Sequence, residues 1–193
     1  KESTSVTFLK KEKIQMKLNN APLIELLNET DPYFFRHTNL ESLKTLRDFL
    51  KNKVPDEKFD LTHWRKNKSP EPGAPIDADW AVTSYDLQHE CGTVGCMLGW
   101  AAAIEEFRER GLKYDLNLGE VRLIDSFGTV AGAEFFNIPY PVSIQLFMPD
   151  YYGFGVKRQN QGENITKAHA IERLNVLIKH VEKLRESRND DTK

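Results

Sequence analysis

Cysteine is scarce in this chain, which has only Cys91 and Cys96 among its 193 residues. Two cysteines cannot build a disulfide framework, so nothing indicates a secreted, cross-linked scaffold. No apolar run approaches the roughly 18 residues of a membrane span. An excess of basic charge is also missing, because 27 Lys and Arg residues stand against 29 Asp and Glu residues. These absences argue against membrane and nucleic-acid partners, and they predict a protein of a reducing cytoplasm.

The composition is that of one globular domain. Hydrophobic residues make up 39% and aromatic residues 10%, enough for a core without covalent cross-links. We predict a domain over residues 21–187 and a polar tail over 188–193. Residues 1–20 form either a flexible basic arm or an over-extended reading frame. The second interpretation rests on the codons of Lys11-Glu12, which can read as a ribosome-binding sequence. They lie a few codons before Met16, which would then be the true first residue.

Apolar periodicity predicts a mainly α fold, α+β with a small β-hairpin. A helix from about Asn39 to Lys51 has Thr38 or Asn39 as its cap and a leucine-rich stripe. Alternation from Leu112 to Leu123 indicates the hairpin. Further helices are expected at residues 23–28, 129–136, 141–147 and 166–185, and an extended segment at 80–87.

The segment from Cys91 to Ala103 is predicted to begin a central buried helix that starts near Thr93 and ends near Gly111. Thr93 would cap this helix through its hydroxyl. Gly95 and Gly99 recur four residues apart and leave a smooth ridge for close packing. Cys96 and Trp100 are then core residues, and packing accounts for most of the segment without any chemistry.

Three chemical alternatives remain open for the same segment. Cys91 could be a nucleophile with His89 as its base, because a helix N-terminus lowers a thiol pKa. His89, Cys91 and Cys96 could bind zinc, with His37 or His63 as a fourth ligand. A disulfide between the two cysteines is the third. None is favoured over packing, and no cofactor is expected.

The order of these features resembles a family of small bacterial and bacteriophage proteins. The family pattern has an early leucine-rich helix, a Phe-Asp plus Trp segment, a Cys-Gly-Thr-x-x-Cys-x-x-Gly-Trp/His-Ala core, a paired-phenylalanine helix and a Leu-Phe followed by Pro and Tyr. The matching residues are Leu40 to Leu50, Phe59, Asp60, Trp64, Cys91, Gly92, Thr93, Cys96, Gly99, Trp100, Ala101, Phe135, Phe136, Leu146, Phe147, Pro149 and Tyr151. The resemblance implies a source and a fold, and it carries no established activity.

The sequence favours a non-enzymatic accessory protein that binds another protein or joins an assembly, either in a virion or as a host-modulating factor. No catalytic constellation is evident, the charge is balanced, and aromatic residues cluster in glycine-containing turns. Tyrosine-rich turns are typical of interfaces. The predicted interface residues are Tyr140, Tyr151, Tyr152 and Phe154. The alternatives are a cysteine-dependent hydrolase or transferase and a small structural zinc protein.

Overall fold

The computed structural model describes residues 20–61, 66–67, 93–94, 96–115, 118, 120–148 and 165–190. Within these ranges the chain is mainly helical and carries a small antiparallel sheet, which confirms the predicted class. The helices are α1 over residues 20–29, α2 Leu40–Lys53, α3 Met97–Ala101, α4 Glu105–Glu109, α5 Gly128–Phe136, α6 Tyr140–Phe147 and α7 Lys167–Asp190. The strands are β1 Lys66–Asn67, β2 Thr93–Val94, β3 Leu112–Asp115, β4 Glu120–Leu123 and β5 Ser126–Phe127.

Helix α2 begins and ends for local reasons. The side chain of Asn39 accepts the N–H of Ser42 at 3.3 Å, so Asn39 is the cap. Thr38 instead donates its hydroxyl to the carbonyl of Asn137, which ties the start of α2 to the end of α5. At the other end Val54 is extended because it precedes Pro55. The predicted helix is confirmed.

Helix α7 is the longest helix of the described part and packs against α2. Its buried stripe has the 3.6-residue period of an amphipathic helix. That stripe meets the buried leucines of α2 and forms one side of the core. The helix continues to Asp190, beyond the Arg185 end expected from the sequence. The stripe consists of Ala170, Leu174, Leu177, Ile178 and Val181.

The predicted hairpin is present and is extended by one strand. β3 and β4 pair antiparallel, with Leu112 opposite Leu123 and Lys113 opposite Arg122. β5 adds to the free side of β4. Leu112 and Val121 are buried, and β4 lies against α5, so this face of the sheet belongs to the core.

Helices α5 and α6 approach closely because α5 carries a glycine at the contact. A Cβ atom at Gly132 would lie 2.8 Å from the Phe147 ring and 3.3 Å from Leu98. Real Cβ contacts are longer, so any side chain at this position would displace the ring. Phe147 in turn packs against Phe136, with 5.8 Å between the ring centroids.

The prediction of one central helix starting at Thr93 is wrong. Thr93 lies in β2, where its backbone pairs with Asn67. Helix α3 begins only at Met97, and the helical path is broken at Ile104, whose backbone is extended. Gly111 does follow α4 with a φ of +95°, as expected of a C-terminal glycine. The segment predicted to be extended, residues 80–87, lies outside the described residues.

Candidate functional site

Cys96 is a packing residue that also caps a helix. Its side chain is 1% exposed, and its Sγ accepts the N–H of Gly99 at 3.4 Å. Burial raises the pKa of the Cys96 thiol to about 11. A thiol that is protonated at neutral pH and closed off from solvent is a poor nucleophile. The prediction that Cys96 belongs to the core is confirmed.

The helix that follows Cys96, α3, is buried along its whole length. Trp100 is 2% exposed, and its indole N–H donates to the carbonyl of Lys58 at 3.3 Å. Its ring lies 6.3 Å from that of Phe49 on α2. Gly99 is buried beside it. The short helix therefore joins α2 to the turn that follows it, which is a structural role.

Several predicted site residues fall outside the part of the chain that the structure describes. His89, Cys91, Gly95, Tyr151, Tyr152 and Phe154 are among them, as is His63. The nucleophile hypothesis for Cys91 with His89 stays a prediction. Zinc binding by His89, Cys91 and Cys96 likewise stays a prediction, because two of the three ligands lie outside the described residues. Among the described residues, no three His, Cys, Asp or Glu side chains are grouped to hold a metal ion.

Tyr140 is the one predicted interface residue within the described ranges. It is the first residue of α6, follows Pro139 and is 49% exposed. Tyr140 is available to a partner.

A more exposed aromatic surface lies at a turn that was not predicted from the sequence. Pro32–Phe35 forms a single 3-10 turn, which we name the aromatic turn and extend to include Arg36. Tyr33 is 57% exposed and Phe34 is 61% exposed, and their rings meet edge to face at 6.1 Å. The Arg36 guanidinium lies over the Tyr33 ring, 4.6 Å from its centroid. Tyr and Arg are the residue types that dominate binding hot spots.

The aromatic turn is held rigidly from both ends. Asp31 accepts the N–H of Tyr33 at 2.7 Å and so caps the turn, and Pro32 fixes the first backbone angle. Phe35 points into the core, where its ring contacts His180 edge to face at 5.2 Å. One aromatic side chain thus anchors the turn while its two neighbours stay exposed.

Basic side chains of α7 are used to cap other elements. Lys167 donates to the carbonyl of Val54 at 2.6 Å, and Arg185 donates to that of Thr38 at 2.6 Å. Arg188 contacts the carbonyl of Pro32 at 3.4 Å, and Arg173 donates to that of Gln145. The Val54 and Gln145 carbonyls lie at the C-terminal ends of α2 and α6, whereas Thr38 precedes α2 and Pro32 begins the aromatic turn. These four cations therefore have structural roles.

No family model, curated protein or solved structure matches this chain. None of the helices in the described part of the chain combines the length and the apolar character that crossing a bilayer requires.

Cys96 is expected to resist alkylation in the folded protein. The thiol has a pKa of about 11 and is 1% exposed, so it reacts only when the surrounding structure unfolds. Treatment with iodoacetamide near pH 8, followed by peptide mass spectrometry, should label Cys96 roughly a hundredfold more slowly in buffer than in urea. Equal rates in buffer and in urea would show that the thiol is accessible and that the packing assignment is wrong.

His180 is expected to make stability fall as the pH is lowered. Burial lowers the pKa of His180 below its usual 6.5, and Lys183 lowers it further. Its Nε2 is buried without a hydrogen-bond partner. The unfolded chain therefore binds a proton at a higher pH than the folded chain does. Stability is unaffected above about pH 6.5 and decreases below it, until the lowered pKa has been passed.

The measurement is a set of urea unfolding curves between about pH 7.5 and 5.5 for the wild type and for His180→Phe. The variant removes the titrating group and keeps an aromatic ring against Phe35. We expect the wild type to lose more stability than His180→Phe over this range. A pH dependence that is identical in the two proteins would show that His180 is not responsible.

Proposed function

We propose that this chain is a non-enzymatic accessory protein of a bacterium or bacteriophage, and that it acts by binding another protein. The observation that carries the proposal is the aromatic turn, where two rings are exposed on a rigid backbone with Arg36 stacked on Tyr33. Contiguous exposed apolar side chains mark protein–protein interaction sites.

The rigidity of the turn supports the same proposal. When a surface is already ordered in the free protein, binding a partner loses less conformational entropy, and the affinity is higher. Asp31, Pro32 and Phe35 hold the turn before any partner arrives. Tyr33 and Phe34 therefore present a preformed contact area.

The charges around the turn point to a protein partner with a matching acidic group. Within the described residues Arg36 forms no ion pair, so its guanidinium is available while it remains on the Tyr33 ring. A carboxylate of the partner would find a charged hydrogen-bond donor beside two apolar rings. That combination is typical of an interface centre.

The test is a pull-down from a lysate of the source cells. The 193-residue chain and two variants of it are immobilised, and the proteins that each one retains are compared. The double variant Tyr33→Ala, Phe34→Ala removes the exposed rings and leaves the buried Phe35 in place. We expect it to retain the bound protein roughly thirtyfold less well, the effect of losing a hot spot of about 2 kcal/mol. Quantitative mass spectrometry of the retained proteins measures the difference.

The matched control is Val130→Ala, which shortens an apolar side chain that is exposed on α5, away from the aromatic turn and from Tyr140. It should retain the same protein as the wild type does. Thermal unfolding of all three proteins shows whether the fold is kept. Equal retention by the double variant and the wild type would contradict a binding role for the aromatic turn.

A further inference from the structure

The outer face of the three-stranded sheet carries an open groove of about 380 Å³. Two of its lining residues, Lys113 and Arg122, are direct cross-strand partners and both are exposed. Like charges directly opposite each other destabilise a sheet. The groove is lined by Gly111, Lys113, Tyr114, Asp115, Arg122 and Ile124.

The Arg122 guanidinium is fixed in one orientation. Its Nε donates to the carbonyl of Ile124 at 2.6 Å, and its Nη1 contacts an Asp115 carboxylate oxygen at 3.2 Å. The other oxygen of Asp115 accepts the N–H of Leu118 at 3.1 Å. No contact within the described residues engages the Nη2 of Arg122 or the Nζ of Lys113. The groove therefore has two cations, one carboxylate that is already in use, and donors left for an anion.

An apolar residue under backbone strain lies at one end of this groove. Ile124 is 73% exposed and has a φ of +52°. That region of backbone conformation is disfavoured for a β-branched side chain, and turns normally place Gly, Asn or Asp there. Strained positions of this kind occur at binding sites, where the surrounding structure holds them. Here the hydrogen bond from Arg122 to the Ile124 carbonyl does so.

We propose that this groove binds an acidic segment of a partner protein, with a carboxylate on Lys113 and Arg122 and an apolar side chain against Ile124. This inference rests on the proposed function, because it assumes that the chain binds another protein. It adds a second contact surface and the chemistry of the segment that binds there. Charge complementarity selects the occupant. A nucleic-acid strand fits less well, since the net charge of the chain is -2 and the one aromatic residue among the lining residues, Tyr114, is only partly exposed.

The test uses a fluorescein-labelled peptide of alternating glutamate and leucine residues and measures fluorescence anisotropy with the full-length chain. At about 50 mM salt, where surface charges are weakly screened, we expect binding below roughly 1 mM, weakening as salt is added. A peptide with glutamine in place of glutamate should bind at least about tenfold more weakly. Lys113→Glu should lower the affinity of the acidic peptide by about tenfold or more, and Ile124→Ala should lower it by a smaller factor.

Lys179→Glu is the matched control, because it makes the same charge change at an exposed lysine of α7. It should bind the acidic peptide as the wild type does. Absence of binding at 1 mM peptide, equal effects of Lys113→Glu and Lys179→Glu, or preference for a single-stranded oligonucleotide would each overturn the proposal. The outcome is independent of the retention test, since Tyr33 and Phe34 do not line this groove.

Discussion

Trp100→Ala is expected to lower the free energy of unfolding by about 3 to 5 kcal/mol, the usual cost of truncating a buried tryptophan. Among the described residues, Trp100 has the largest of the fully buried side chains, and it contacts Phe49. The substitution leaves a cavity beside α2 and removes the donor to the Lys58 carbonyl. Both losses act on the contact that joins α3 to α2.

Urea unfolding monitored by far-UV circular dichroism measures this loss. Trp100→Phe is the control, because it keeps an aromatic ring and loses only part of the volume and the indole N–H. It should cost less than half as much as Trp100→Ala. A loss below about 1 kcal/mol for Trp100→Ala would contradict the central position of α3 in the core.

Arg173→Ala is expected to cost about 3 kcal/mol, the second-largest effect. Arg173 is 0% exposed, and its guanidinium donates to the carbonyl of Gln145. That carbonyl lies in the last turn of α6, where no partner within the helix is available. A cation at this position also interacts favourably with the negative, C-terminal end of the helix dipole. Truncation removes the donor, the charge and the packed side-chain stem together.

Arg173→Met separates these contributions. Methionine keeps much of the buried volume and carries neither donor nor charge, so it should recover part of the lost stability. Unfolding in urea again provides the measurement. If Arg173→Met and Arg173→Ala are equally unstable, the carbonyl contact dominates. If neither variant loses stability, the assignment of Arg173 as a buried cap of α6 is wrong.

Local features of the sequence account for the parts of the fold that were predicted well. The start of α2 depends on Asn39 and Ser42, three residues apart, and the stripe of α7 depends on a period that can be read directly. The β3–β4 hairpin depends on alternation within twelve residues. The residues that form these caps, stripes and hairpins are near one another in sequence, so a short window of sequence is enough to predict them.

Thr93 shows why the rest could not be predicted. Its hydroxyl and the following apolar run are typical of a helix cap, yet its backbone pairs with Asn67 in a second strand. A strand pairing between distant segments overrides a local preference for a helix. Cys96 then takes the position of the cap, through its Sγ rather than through a hydroxyl.

The aromatic turn shows the same limit for the candidate site. Tyr33, Phe34 and Phe35 are consecutive aromatic residues, and the sequence alone does not tell which of them is buried. The choice depends on His180, which lies on α7 at the far end of the chain. Asp31 and Pro32 were a usable signal, because an Asp-Pro pair before three aromatic residues predicts a capped turn.

The central claim is that the protein acts through the aromatic turn, while Cys96 and α3 support the fold. Its most direct test is photo-crosslinking in the source cells with benzoylphenylalanine in place of Phe34, and in a second strain in place of Glu41, an exposed residue of α2. The account predicts one specific crosslinked protein from position 34 and none from position 41. The same crosslinks from both positions, or none from position 34, would contradict it.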